Sequence, residues 1–106
     1  MRSFSVYVIE LDSKVRQSRR FRSANPTSNP LKASFYVGST FRTPDERFDQ
    51  HKNGYKSNSF AKKYGLNLRP DLFEAYNPIP SRSDAEELEK YLAGRLRERG
   101  HGVWQG

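Results

Sequence analysis

One glutamate in this sequence stands where a carboxylate is costly. Projected at about 100° per residue, Ala85, Leu88, Leu92 and Leu96 fall on one arc of a helix, and Glu89 lies inside it, about 40° from Ala85. Glu86, Glu87, Lys90 and Arg97 point well away from that arc, while Arg99 drifts onto it near the helix end. A carboxylate at the edge of an apolar face needs a cation, a metal ion or several donors, so a divalent-ion ligand and a salt bridge both answer the pattern. Arg47 and His51 are four residues apart and share a helix face beside Phe48. A fixed guanidinium clamps a phosphate and stabilises charge gathering on its oxygens, but it also snorkels over an aromatic ring such as Phe48. His51 carries the same pair of readings, a proton relay or phosphate contact against an ordinary helix histidine. Tyr7 and Tyr36 lie in the middle of two β-rich stretches, where tyrosine is a good packing residue in its own right.

The elements that must position these residues are marked by local signals. Residues 4–11 are β-branched, aromatic and of strand length, and residues 33–40 form a second strand with Gly38 near its exit. Between them, residues 12–32 change to Arg, Ser, Asn and Pro and read as a long basic loop; with no helix-length segment there, the strands are expected to be antiparallel. Thr43-Pro44-Asp45-Glu46 is a capping box with proline in the first turn, opening a helix that runs to about Asn53 before Gly54. A shorter helix is expected over Asn58–Tyr64, capped by Ser57 and stopped by Gly65. Leu72–Tyr76 reads as a third strand between two proline turns, and Ser83-Asp84-Ala85-Glu86 as a second capping box opening a helix to about Arg99. The expected class is α+β: a small three-stranded antiparallel sheet flanked by two or three helices, in a single domain over residues 1–106.

Tyr7-Val8-Ile9, Tyr36-Val37-Gly38, Arg47 with His51, and Ala85 followed by Glu89, in that order and spacing, resemble the GIY-YIG nuclease family across almost the whole chain. The resemblance implies two motif tyrosines on adjacent strands, Tyr7 and Tyr36. It makes Arg47 the phosphate-stabilising arginine, His51 an auxiliary residue, and Glu89 the ligand of one divalent cation, Mg²⁺ or Mn²⁺. It implies an endonuclease that hydrolyses phosphodiester bonds in DNA, with a tyrosine, Tyr7 before Tyr36, assisting the water. Where many members carry an asparagine after the glutamate helix, this chain reads Gly100-His101-Gly102-Val103-Trp104. His101 is the candidate replacement and Trp104 a core or lid aromatic. Arg19, Arg20 and Arg22 of the basic loop, with Lys52, Lys56 and His101, are the candidate nucleic-acid contacts.

Bulk composition bounds the rest. The chain has 106 residues, enough for one modest core, and carries 19 Lys and Arg against 12 Asp and Glu, a formal charge of +7 that favours a polyanionic partner through counterion release. It has no cysteine, which excludes disulfides, thiolate zinc sites and cysteine nucleophiles. Its longest apolar run, Val6-Tyr7-Val8-Ile9, is far short of the roughly 18 residues of a membrane span, so a cytoplasmic protein with no membrane role and no obligatory protein partner is expected. A noncatalytic nucleic-acid-binding module on the same fold is the competing reading. A small adaptor whose basic loop binds an acidic protein is a third, for which charge alone speaks.

Overall fold

The structure, a computed structural model, describes residues 3–106. Its centre is a mixed sheet of four strands, β1 (Ser5–Leu11), β2 (Ser34–Thr40), β3 (Gly65–Leu68) and β4 (Gly102–Gln105), in the order β3-β1-β2-β4. The antiparallel pairing of β1 with β2 is as expected, with Tyr7 opposite Gly38 and Ile9 opposite Tyr36. The expected three-stranded antiparallel sheet is corrected by β4, which lies parallel to β2 with Tyr36 opposite Trp104 and Val37 opposite Gln105.

The third strand also falls elsewhere. Leu72–Tyr76 is not a strand but part of two 3-10 turns, Pro70–Leu72 and Glu74–Tyr76. Proline at either end of the stretch fixes φ and removes backbone donors, so the segment cannot extend a ladder. It buries Phe73 instead. β3 forms upstream, and the Arg69 N–H continues its pairing by donating to the Val8 carbonyl at 2.9 Å. Four residues that follow a helix directly are too few to show a strand period in sequence.

The basic segment between β1 and β2 is not a plain loop. It holds a 3-10 turn, Ser13–Gln17, and the helix α1 (Arg19–Ala24), whose N-terminus is capped by the Ser18 hydroxyl. Val15 and Phe21 are its two apolar anchors and both are completely buried. The polar composition hid them because each is a single side chain without a periodic neighbour.

The other helices follow their local signals closely. In α2 (Pro44–Asn53) both halves of the capping box form between Thr43 and Glu46, and Gly54 ends the helix at φ 84°, a left-handed position natural to glycine. α3 (Ser59–Tyr64) is capped by Asn58 rather than Ser57. α4 (Arg82–Glu98) starts two residues before its expected box, because the Ser81 hydroxyl, not that of Ser83, caps it by accepting the Asp84 N–H at 3.1 Å. Alternation along the strands gives the sheet two faces. Val6, Val8, Phe35, Val37, Val103 and Gln105 share one, and Tyr7, Ile9, Tyr36, Gly38 and Trp104 share the other. The contact of Gln105 with Glu89 puts α4 on the first face, and the contacts of Tyr7 with His51 and Trp104 with Phe60 put α2 and α3 on the second.

Candidate active site

β4 pairs with β2 from Ser34 to Val37, and Gly38 and Ser39 of β2 lie next to that pairing. Both faces of the sheet open into one pocket there. It measures about 360 Å³, and Tyr7, Tyr36, Gly38, Arg47, Glu89 and Gln105 are among the residues that line it. Four of the five expected site residues therefore meet, although they come from both faces of the sheet.

Tyr7 crosses Gly38 on the neighbouring strand. A Cβ at residue 38 would stand 2.5 Å from the Tyr7 hydroxyl, so only glycine leaves the ring its place. The Tyr7 and Tyr36 rings lie 6.1 Å apart between centroids. The fifth expected residue, His51, is wholly buried behind them, with Nε2 2.9 Å from the Tyr7 hydroxyl and its ring edge-on to Tyr36 at 5.2 Å. His51 Nδ1 accepts the backbone N–H of Asn58 at 3.1 Å. A backbone N–H can only donate, so the neutral ring carries its proton on Nε2 and donates it to the Tyr7 oxygen. Burial, with Arg47 adding to it, pushes the His51 pKa down to about 4 and keeps the ring neutral.

Arg47 is held by three acceptors in and beyond its own helix: Gln50 Oε1 at 3.1 Å, the Tyr55 carbonyl at 3.2 Å and the Lys56 carbonyl at 2.8 Å. Lys56 has a left-handed backbone, φ 43°, at the turn that presents its carbonyl to the guanidinium. The helix thus sets where Arg47 starts, and the following turn sets where its charge ends. Arg47 also acts on both tyrosines. Burial raises the Tyr7 pKa well above the ordinary tyrosine range, the Tyr36 hydroxyl adds to this, and Arg47 opposes it. Burial raises Tyr36 too, opposed by the Tyr7 hydroxyl and by Arg47 and reinforced by the Glu89 charge.

Glu89 reaches the pocket from α4 and is only 6% exposed, so it sits inside the apolar arc as its spacing indicates. Gln105 Nε2 donates to its Oε2 at 2.9 Å, and no ion pair to a basic residue is found at Glu89 among the described residues. Burial raises its pKa above the usual carboxylate value, while Gln105 and Ser39 pull it down. Glu86 and Lys90, which the helical projection turns away from the core, form the wall beside it. No cluster of three or more acidic or imidazole ligands exists among the described residues. A single carboxylate in an open, oxygen-lined pocket suits a hard divalent ion that keeps most of its coordination for water and phosphate oxygens.

The expected nucleic-acid contacts are dispersed. Lys56 stands beside the pocket, but Lys52 Nζ is committed to the carbonyls of Lys62 and Gly65. Arg22 is tied to the Arg16 and Gln17 carbonyls, and Arg20 lies over the Phe60 and Trp104 rings, which makes Trp104 a packing aromatic. Arg19 is exposed on α1 outside the pocket lining, and His101 bonds the Ala33 carbonyl. The side-chain amide beside the glutamate is therefore Gln105, not a group at residue 101. No sequence signal singled it out, because its place depends on β4 pairing with β2.

Paired strand tyrosines, a clamped arginine and a helix glutamate thus line one open basin. The model of the GIY-YIG catalytic domain matches residues 20–101, and the chain belongs to the GIY-YIG nuclease family. Tyr36, Arg47, His51 and Glu89 fall within the match. Tyr7 lies outside it and is joined to the group by its register against Gly38. No curated protein and no solved structure matches the chain significantly.

Proposed function

We propose that this protein is a divalent-metal-dependent endonuclease that hydrolyses phosphodiester bonds in DNA. The convergence of Tyr7, Tyr36, Arg47 and Glu89 on one basin carries this reading. Glu89 holds the cation, Mg²⁺ or Mn²⁺, with Gln105 fixing the orientation of its carboxylate. The bound ion supplies charge neutralisation at the phosphate and lowers the pKa of its water. Arg47 binds a non-bridging phosphate oxygen, and its charge matters most as negative charge builds there in the transition state.

Tyr7 assists the attacking water. Its oxygen accepts a hydrogen bond from His51 Nε2–H, so its own proton is directed away from His51. Taking a proton from water requires the ionised phenol, which burial opposes and the adjacent positive charge of Arg47 favours. His51 is a positioning residue in this scheme. Its donated hydrogen bond favours the ionised form of Tyr7, and with Nδ1 occupied by Asn58 the neutral ring cannot accept the Tyr7 proton at Nε2.

Labelled single-stranded, duplex and branched DNA incubated with Mg²⁺ or Mn²⁺ tests the proposal. Cleavage should disappear with a chelator, and Glu89→Ala and Arg47→Ala should each lose at least about a hundredfold in rate. DNA binding should survive in Glu89→Ala. Equal rates for Glu89→Ala and the parent protein would refute the mechanism. Salt-sensitive binding with no cleavage of any substrate would mark a noncatalytic binding module instead.

A further inference from the structure

Next to the Tyr7–Glu89 pocket, and sharing Ser39, Arg47 and Glu86 with it, lies a second basin of about 270 Å³ beyond the ends of β1 and β2. Three aromatic rings line it from separate parts of the chain: Phe4 before β1, Phe41 after β2 and Tyr55 in the turn between α2 and α3. Each has a cation over its face, Arg82 over Phe4 at 5.7 Å, Arg42 over Phe41 at 5.2 Å and Lys56 over Tyr55 at 5.7 Å. Phe41 is 48% exposed and Tyr55 is 55% exposed, so both leave apolar ring surface in water. Four cationic residues, Arg42, Arg47, Lys56 and Arg82, line the basin against the single carboxylate Glu86.

Exposed aromatic rings interleaved with cations are a stacking platform inside a positive groove, the combination that binds single-stranded nucleic acid with little regard to sequence. A base inside a duplex has both faces covered by its neighbours and cannot use such a platform. We propose that this basin is a subsite for an unpaired nucleobase adjoining the scissile phosphodiester, so that the protein selects DNA with a branch, flap or overhang over continuous duplex. The subsite rests on the reading that the phosphodiester occupies the Tyr7–Glu89 pocket. Contiguity supports it further, because the turn that carries Tyr55 also clamps Arg47 through the carbonyls of residues 55 and 56. The base platform and the phosphate-binding arginine therefore share one scaffold.

The test measures binding without divalent cation, so that nothing is cut. Forked DNA carrying 2-aminopurine at the first unpaired position is compared with blunt duplex of equal length. The protein should quench the probe and bind the fork about tenfold more tightly than the duplex, the order expected of one stacked base. Phe41→Ala and Tyr55→Leu should each lower that ratio severalfold and weaken the quench. Tyr91→Ala is the matched control, since that ring is 52% exposed and has Arg95 over it at 6.0 Å but lies outside the basin; it should change neither. Equal affinity for fork and duplex, or an undiminished quench in both variants, would overturn the subsite. Absence of cleavage on every DNA would count against the hydrolase alone, whereas cleavage with no fork preference would count against the subsite alone.

Discussion

His51 shows how one buried side chain serves both stability and chemistry. Its neutral form is required by the fold, because Nδ1 must accept from Asn58 while Nε2 donates to Tyr7. Its pKa is about 4 in the folded protein against 6.5 for an ordinary histidine, so between those values the unfolded chain binds a proton that the native chain does not. Stability should therefore be retained above pH 6.5 and lost progressively as pH falls towards 4, with a contribution on the order of 3 kcal/mol. Urea melts of the parent and His51→Gln at several pH values check this. The parent should lose its advantage over the variant across that window, and a constant difference would show that His51 is not held neutral. The same substitution should slow cleavage more than Tyr7→Phe does only if the imidazole has a task besides orienting Tyr7.

The elements that build the site depend on side chains reaching across the fold. Asn25, at the C-terminus of α1, donates from Nδ2 to the Phe21 carbonyl at 2.9 Å and accepts the Val103 N–H on Oδ1 at 2.8 Å. It is nearly buried, so its replacement leaves a strand N–H and a carbonyl unsatisfied. Asn25→Ala should cost about 2 kcal/mol in denaturant melts. Through β4 and Gln105 it should also lower cleavage, although Asn25 lines no part of the pocket. A cleavage rate equal to the parent's at full occupancy of the folded state would disconnect β4 from the site. Thr43→Ala removes the cap of α2, and with it the Thr43–Glu46 exchange, for about 1 kcal/mol. That effect is local and contrasts with the reach of Asn25.

Taken as a whole, the molecule carries its charge unevenly in effect if not in sequence. Many of its cations are engaged: Arg22 and Lys52 on carbonyls, Arg69 on Glu10 and Asp71, Arg20 over two rings. These contacts leave the formal +7 in place but commit the donors of those side chains, so the cations around the basins are the ones placed to grip a phosphate. With about four phosphates neutralised, affinity for DNA should fall about a hundredfold as salt rises from about 50 to about 200 mM. Lys56→Gln should reduce the slope of log affinity against log salt by about 0.9, while Arg22→Gln leaves it unchanged. Equal slopes for the two variants would show that the basic segment, rather than the pocket rim, carries the phosphate contacts. No helix among the described residues is long and apolar enough to cross a membrane.

Signals that span one or two helical turns were legible without a structure. The Thr43–Glu46 box, Gly54 and the apolar arc holding Glu89 form as their residues indicate, since each depends on neighbours three or four positions away. The ordered motif residues likewise indicated the family. What local spacing could not determine was pairing across long separations. The register of β2 against β1 is one such pairing, and a slip of one residue would turn Tyr36 to the opposite face. The parallel docking of β4, the seating of Phe21 and the place of Gln105 beside Glu89 are others. These contacts close loops of tens of residues, so burial and backbone hydrogen bonding across the whole sheet select them. Residue types along the chain made a phosphodiester chemistry available. Only the tertiary structure brought Tyr7, Tyr36 and Arg47 from one face of the sheet and Glu89 and Gln105 from the other into one pocket.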